Sequence, residues 1–356
     1  MFPMECKQNN LEFLVSIARI SFLSLAEKIN LLKNIDSASS LALLSIDEIS
    51  ALCGRALRIK KWDGNRNYHE SVREAKIIEA KKIGFALYTD ALYPSLLREI
   101  PDAPFMLFYI GDISILSGKT VSVVGTRHVT PDGRAAAHDF AYDAVNNGVT
   151  VVSGLAFGAD AAAHSGAVDA YFDSIENAGN KCKSPSGKTA AVLPCGCDTV
   201  VPKSNAKLAH NILRSGGCIL SEYVPGTETM PWRFVQRNRI IAALSPATVV
   251  VQAGNGSGAL ITAQFALEYN RELMFHAAAL SESARKTGEA SLRRLQKEFA
   301  LGNISRSKLE NSPERFLESG APVIKDYKDF CVCLKEMPGG HSCKIKSDGQ
   351  LELPVI

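Results

Sequence analysis

Residues 118–166 read GKTVSVVGTRHVTPDGRAAAHDFAYDAVNNGVTVVSGLAFGADAAAHSG, and this stretch decides the fold. An apolar run at 120–124 stops at Gly125-Thr126-Arg127, and a helical stretch follows from about Pro131. A second apolar run at 149–152 stops at Ser153-Gly154 before another helix. Strand, helix and strand in this order make a βαβ unit, and each helix starts where backbone N–H groups point outward. Small residues at the carboxyl ends of parallel strands leave a crevice for an anion, and Arg127 adds a charge able to hold phosphate bidentately.

Downstream, the alternation continues. Candidate strands fall at 190–193, 218–221, 248–252 and 273–276, with candidate helices at 205–215, 234–244 and 260–269. Short apolar runs ending in Gly, Ser or Cys and separated by helices predict an α/β fold with a doubly wound, mostly parallel sheet. The functional loops should then share one edge. Upstream, strands are expected at 85–88 and 105–110, on either side of a turn at Tyr93-Pro94. Residues 5–83 repeat apolar side chains at helical spacing (Leu11, Leu14, Ile17; Leu25, Ile29, Leu32; Leu41, Leu44), with a polar loop at 60–67 before a last helix of about 70–83. The expected division is a helical module at 1–83, an α/β domain at 84–335 and a tail at 336–356, with 174–187 and 281–312 as insertions or loops.

Composition is compatible with this plan. The 356 residues are 46% apolar with a net charge of +3, and mean hydropathy is near zero. No apolar stretch is long enough to span a bilayer, and the opening MFPMECKQNN lacks a signal-peptide layout, so the expected compartment is the cytoplasm. Nine scattered cysteines read as reduced thiols. With so small a net charge, any nucleic-acid site must concentrate its cations locally.

Several motifs invite chemical readings. Gly254-Asn255-Gly256-Ser257-Gly258-Ala259 has the G-x-G-x-x-A form of a dinucleotide turn, but it follows a late strand and no acidic residue ends a following strand at the expected distance. It is read as a phosphate-contacting or structural turn. Ser186-Gly187-Lys188-Thr189 ends like a P-loop, yet Cys182 stands where the upstream glycine is required. Asp160 and His164 share a helix face, as an acid–base pair or as structure alone. Cys331, Cys333, His341 and Cys343 match no familiar zinc spacing, and no nucleophile elbow or two-metal carboxylate cluster is present. No cofactor, metal or catalytic residue is therefore expected. The binding signal is Arg237-Asn238-Arg239 at a helix start after Pro231-Trp232, where two guanidinium groups and an amide can clasp a phosphodiester, or can instead pair with Glu222 or Asp198 inside the fold.

In combination these stretches resemble the bacterial DNA-processing protein A family (DprA, also called Smf). The resemblance rests on Val123-Val124-Gly125-Thr126-Arg127, Ser153-Gly154-Leu155-Ala156 with Gly158, Asp160 and His164, Leu220-Ser221-Glu222-Tyr223, residues 237–242, and Ser257-Gly258 with Leu260-Ile261-Thr262-Ala263. It covers about 87–276. It implies an extended Rossmann-like domain behind a small SAM-like helical module. The implied function is non-catalytic: a mediator that binds and protects single-stranded DNA and loads RecA recombinase during natural transformation, displacing single-strand-binding protein, as a homodimer and without a membrane anchor. Carried over, Gly125, Thr126 and Arg127 would line a phosphate pocket, Ser153-Gly154 would form its wall, and Lys203 would add a second cation. Arg237, Asn238, Arg239, Ser257 and Gly258 would lie beside it.

Three departures stand out, and the first two reduce the charge expected there. Phe157 replaces a basic residue, Gly256 replaces an arginine, and Ala277-Ala278-Ala279 replaces the usual P-G-S. Residues 281–312 are basic and unlike the family's usual continuation, and no stretch matches the winged-helix module of many relatives. Two other classes fit parts of the sequence: a Rossmann-like nucleotide hydrolase, whose P-G-G-x-G-T turn is lacking here, and a diverged scaffold acting through its N-terminal helices.

Overall fold

The computed structural model describes residues 11–59, 61–176 and 187–336. Its strands are β1 (Gly84–Leu87), β2 (Met106–Gly111), β3 (Thr120–Val124), β4 (Thr150–Ser153), β5 (Thr189–Val192), β6 (Cys218–Ser221), β7 (Ala247–Val250), β8 (Glu272–His276) and β9 (Val323–Ile324). They form one sheet in the order β1-β2-β6-β5-β4-β3-β7-β8-β9. From β6 to β9 all pairs are parallel, while β1 and β2 add an antiparallel edge. Every residue of β3, β4, β5, β6 and β7 is buried, which is why these strands read as unbroken apolar runs instead of alternating. The doubly wound α/β expectation holds, and β9, two residues long, is too short to leave a periodic signal.

Helices cover both faces. Pro131–Asn146 and Ala159–Glu176 pack Phe140, Ala144 and Ala163 on the face that carries Val121, Val123 and Val151. Pro231–Ala243 and Gly258–Glu268 pack Ile240, Ile241 and Leu260 on the face that carries Val124, Val152 and Val250. The two hydroxyls of β3 do not stay orphaned in this interior. Thr120 Oγ1 donates to Leu244 O at 2.8 Å and Ser122 Oγ to Ile241 O at 2.6 Å, so the strand grips the last turn of the facing helix and fixes where its first turn emerges.

The N-terminal helices are Leu11–Ala18, Leu25–Asn34, Ala38–Leu43, Ile46–Cys53 and Gly64–Ala80. Ser24 with Glu27 and Ser45 with Glu48 form capping boxes at the second and fourth. The last begins inside the expected 60–67 loop, because Asp63 accepts from Arg66 N and caps it there. Gly64 is required at that start, since a Cβ would stand 2.1 Å from Ala42 O. Phe13, Ile17, Leu31, Leu41 and Ile78 share a core with Phe105, Phe108 and Ile219, so the bundle closes over the β2–β6 end of the sheet. The stretch 174–187 overlaps the helix Ala159–Glu176 up to residue 176, and 177–186 lies outside the described residues, as do His341 and Cys343. Residues 281–312 carry a helix, Glu282–Ala300, and a short turn of helix, Arg306–Glu310.

Chain order makes the crevice. From β3 the chain moves outward through β4, β5 and β6 on one side, then returns to β7 on the other. The loops after β3 and β7 therefore part, and their helices begin around the gap.

Candidate nucleic-acid interface

A cleft of about 530 Å³ opens at this gap. It is lined by Gly125, Thr126 and Arg127 from the β3 turn, by Phe234, Arg237 and Asn238 from the helix Pro231–Ala243, and by Ser257 and Gly258 at the start of Gly258–Glu268. Gly125 is fixed by crowding, because a Cβ there would meet Ala159 Cβ at 2.5 Å and Gln252 O at 3.0 Å. Thr126 N donates to Gln252 O at 2.7 Å, which ties the β3 turn to the end of β7. The buried Gln252 side chain continues the tie, since Thr130 N donates to its Oε1 and its Nε2 donates to Thr130 Oγ1 and to Ala278 O.

Seven of the eleven residues read from the sequence line this cleft: Gly125, Thr126, Arg127, Arg237, Asn238, Ser257 and Gly258. The other four do not. Ser153 is buried, its Oγ donating to Val123 O at 2.6 Å. Gly154 lies beneath the Arg237 guanidinium, where a Cβ would come within 1.7 Å of Nη1. Lys203 is exposed at the start of the turn Lys203–Asn205, and Asn205 Nδ2 holds that turn against the β4 loop through Leu155 O at 2.9 Å. Arg239 belongs to the far side of its helix, pairing with Glu222 at 2.5 Å and Asp102 at 3.3 Å. The alternative partner weighed for the arginines, Asp198, is taken by Lys81 Nζ at 2.8 Å.

The cleft has a buried wall and an exposed lip. In the wall, Arg237 is 3% exposed, and its Nη1 donates to Val192 O at 2.7 Å. Burial pulls its pKa down to about 10, with Asp160 opposing that shift and Arg127 adding to it. Burial likewise raises the Asp160 carboxyl, countered by Arg237 and by the N–H groups of Ala156, Gly154 and Gly125. His164 is driven down to about 3, first by burial and then by Arg237. Its Nδ1 lies 2.7 Å from Thr189 Oγ1, whose own proton goes to Val151 O. Asp160 and His164 thus share a polar interior with Arg237, and His164 is neutral there. Asn238 Nδ2 donates to Gly258 O at 3.1 Å, tying the middle of its helix to the start of the next; residues 237–239, expected at a helix start, lie well inside the helix because Pro231 opens it earlier.

The lip is different. Arg127 is exposed, with its guanidinium 5.0 Å from the centre of the Phe234 ring, and it makes no ion pair among the described residues. Nearby on the same helix start, Trp232 is 53% exposed, and on the β4 loop Phe157 is 50% exposed. The Arg127–Phe234 pairing was not foreseen, although an aromatic residue one turn into the helix that begins at Pro231 could have suggested it. Such a ring holds the guanidinium by cation–π attraction while leaving its N–H fork unspent.

An extended Rossmann-like sheet, open at its switch point to a cleft with an exposed arginine and the Phe234 ring at its lip, defines the class of the fold. The DNA recombination-mediator protein A family matches residues 84–310, and the chain belongs to that family. A Synechocystis protein Smf is 36% identical over 253 residues, which are 70% of this chain and 58% of that protein. DNA processing protein A from Streptococcus pneumoniae superposes with a TM-score of 0.61 at 24% identity, over 89% of this chain and 95% of the other. DNA processing protein A from Helicobacter pylori, solved for its single-stranded DNA binding mode, does so with a TM-score of 0.51 at 25% identity, over 70% and 95%. Among the described residues no helix is long and apolar enough to cross a membrane, and no cluster of metal-ligating side chains occurs.

Proposed function

We infer that this protein is a cytoplasmic recombination mediator that binds single-stranded DNA at the crevice, protects it, and passes it to RecA recombinase as single-strand-binding protein is displaced. The observation that carries the reading is the convergence of the β3 turn, the Pro231–Ala243 helix start and the Ser257-Gly258 turn on one cleft with Arg127 free at its lip. Sequence-independent binding of a single strand needs backbone donors and cations for phosphates and rings for bases. In this reading Gly125, Thr126, Ser257 and Gly258 bring the backbone close, Arg127 holds a phosphate, Phe157 on the β4 loop offers a stacking face, and Lys203 adds a second cation on the turn that packs against that loop. Ser153, Gly154, Arg237, Asn238 and Arg239 hold the frame. Binding and release suffice, and no covalent step is invoked. Homodimer formation and the handover during natural transformation belong to the same proposal through family membership.

Fluorescence anisotropy with labelled single-stranded and duplex oligonucleotides tests the reading. Expected is a preference for the single strand that weakens with salt, followed by faster RecA filament growth on DNA coated with single-strand-binding protein. Equal affinity for both forms, or no binding, overturns it.

A further inference from the structure

A second cleft, of about 450 Å³, adjoins the first and shares Thr126, His128 and Ser257 with it. Its far wall comes from residues 281–312, a segment with seven lysines and arginines against four glutamates in a chain whose total charge is only +3. The helix Glu282–Ala300 has no fully buried residue, yet the segment is tied down near both its ends. Ser283 Oγ donates to Asp132 at 2.9 Å, and Gly256 N donates to Asn311 O at 2.7 Å. Gly256 itself, at φ +63°, sits so close to the segment that a Cβ would stand 2.9 Å from Lys308 O. The helix half-buries one face, through Ala284, Leu292 and Leu295, and leaves its basic residues exposed, so that its placement gives the cleft a cationic side.

Arg294 and Lys308 line that side, both exposed and neither in an ion pair among the described residues. The carboxylate facing the same space is Glu298, which accepts from Asn303 Nδ2 at 2.9 Å. Across from them are the exposed His128 and the Gly254–Ser257 turn, where Gly256 N is spent on Asn311 O and Ser257 N on Gly254 O, while the enclosed Ser257 hydroxyl has no partner among the described residues. We propose that this second cleft is a separate phosphate subsite, in which Arg294 and Lys308 receive the nucleic-acid backbone as it leaves the first cleft. The inference rests on the functional reading above and adds to it a direction for the strand: past Thr126 and Ser257, under the basic helix.

The test pairs two oligothymidylates, of about 4 and about 16 nucleotides, spanning the usual range of single-strand site sizes. Each is titrated across a salt series with the parent, with Arg294→Gln/Lys308→Gln, and with the charge-conserving Arg294→Lys/Lys308→Arg. Two phosphates at about 0.7 each make the long-oligonucleotide slope of log K against log salt about 1.4 shallower in the glutamine variant. Between 50 and 200 mM salt the parent then loses about seven-fold more affinity than that variant. The short oligonucleotide should bind both alike, and the charge-conserving variant should keep the parent slope. An unchanged long-oligonucleotide slope in the glutamine variant overturns the subsite while leaving the first cleft standing. Equal loss on both lengths, or loss in the charge-conserving variant, also overturns it, by assigning the two residues to the first cleft or to structure. A parent that binds no single strand overturns the functional reading and the subsite together.

Discussion

Arg239 and Arg127 both belong, in the sequence, to compact arginine motifs that invite a phosphate. One is 6% exposed and ion-paired to Glu222 and Asp102, and the other lies in solvent over a phenylalanine ring. The contrast teaches that residue type nominates a cation for binding, while unspent donors and access to water decide whether it is available. Arg237 lies between these extremes: it lines the first cleft but spends Nη1 on Val192 O and is almost wholly enclosed.

The sharpest test of that contrast is stability. Arg239→Ala leaves the Glu222 carboxylate enclosed without its guanidinium, and urea unfolding should show a loss of about 3–5 kcal/mol. A loss no greater than that of a surface arginine would break the comparison. The buried wall should also show in pH dependence. His164 has a folded pKa of about 3 against an ordinary 6.5, so the unfolded chain binds its proton first as pH falls. Its contribution is complete above about 6.5 and is lost downward toward 3, at about 1.4 kcal/mol per pH unit in mid-window. Asp160 and Glu222, both raised by burial, act with the opposite sign, so the informative quantity is the difference between parent and His164→Gln curves. Parallel curves would remove His164 from the account.

Gly154→Ala probes the same wall from below. Its new methyl must displace an enclosed guanidinium, at about 1–3 kcal/mol measured by denaturant midpoint, with binding weakened only as far as the cleft shifts. On the lip the pattern should invert. Arg127→Ala is expected to change stability by about 0.5–1 kcal/mol, the worth of an exposed cation–π contact, while the single-strand salt slope drops by about 0.7. Smallest of all is Phe157→Arg, which adds a cation at a half-exposed position and should steepen the slope by about 0.7 at nearly unchanged stability. A weaker single-strand affinity in that variant at low salt would indicate that the ring stacks on a base.

The sheet was legible because its central strands are short apolar runs ending on small residues, and such runs have few other ways to satisfy their backbones. Gly125, Thr126, Arg127, Ser257 and Gly258 were legible for the same reason, since strand ends in this topology converge without any knowledge of side-chain contacts. What stayed hidden depends on partners distant in the chain. Nothing near Arg239 announces Asp102, and nothing near Gly154 announces that Arg237 will fill the space above it. The basic segment at 281–312 was read as composition only; its half-buried face at Ala284, Leu292 and Leu295 has helical spacing, but that it lies against the Gly256 turn follows from packing between residues distant in the chain.

Gln252 gives these parts a mechanical relation. One enclosed carboxamide holds the start of the helix Pro131–Asn146 through Thr130 and, through Ala278, the segment that leads into the basic helix, while its own main-chain oxygen takes the N–H of Thr126. Three segments are thus yoked to a single pivot. The β3 turn, the first turn of the helix Pro131–Asn146 and the approach to the basic helix therefore share one anchor, and a change at Gln252 reaches all three.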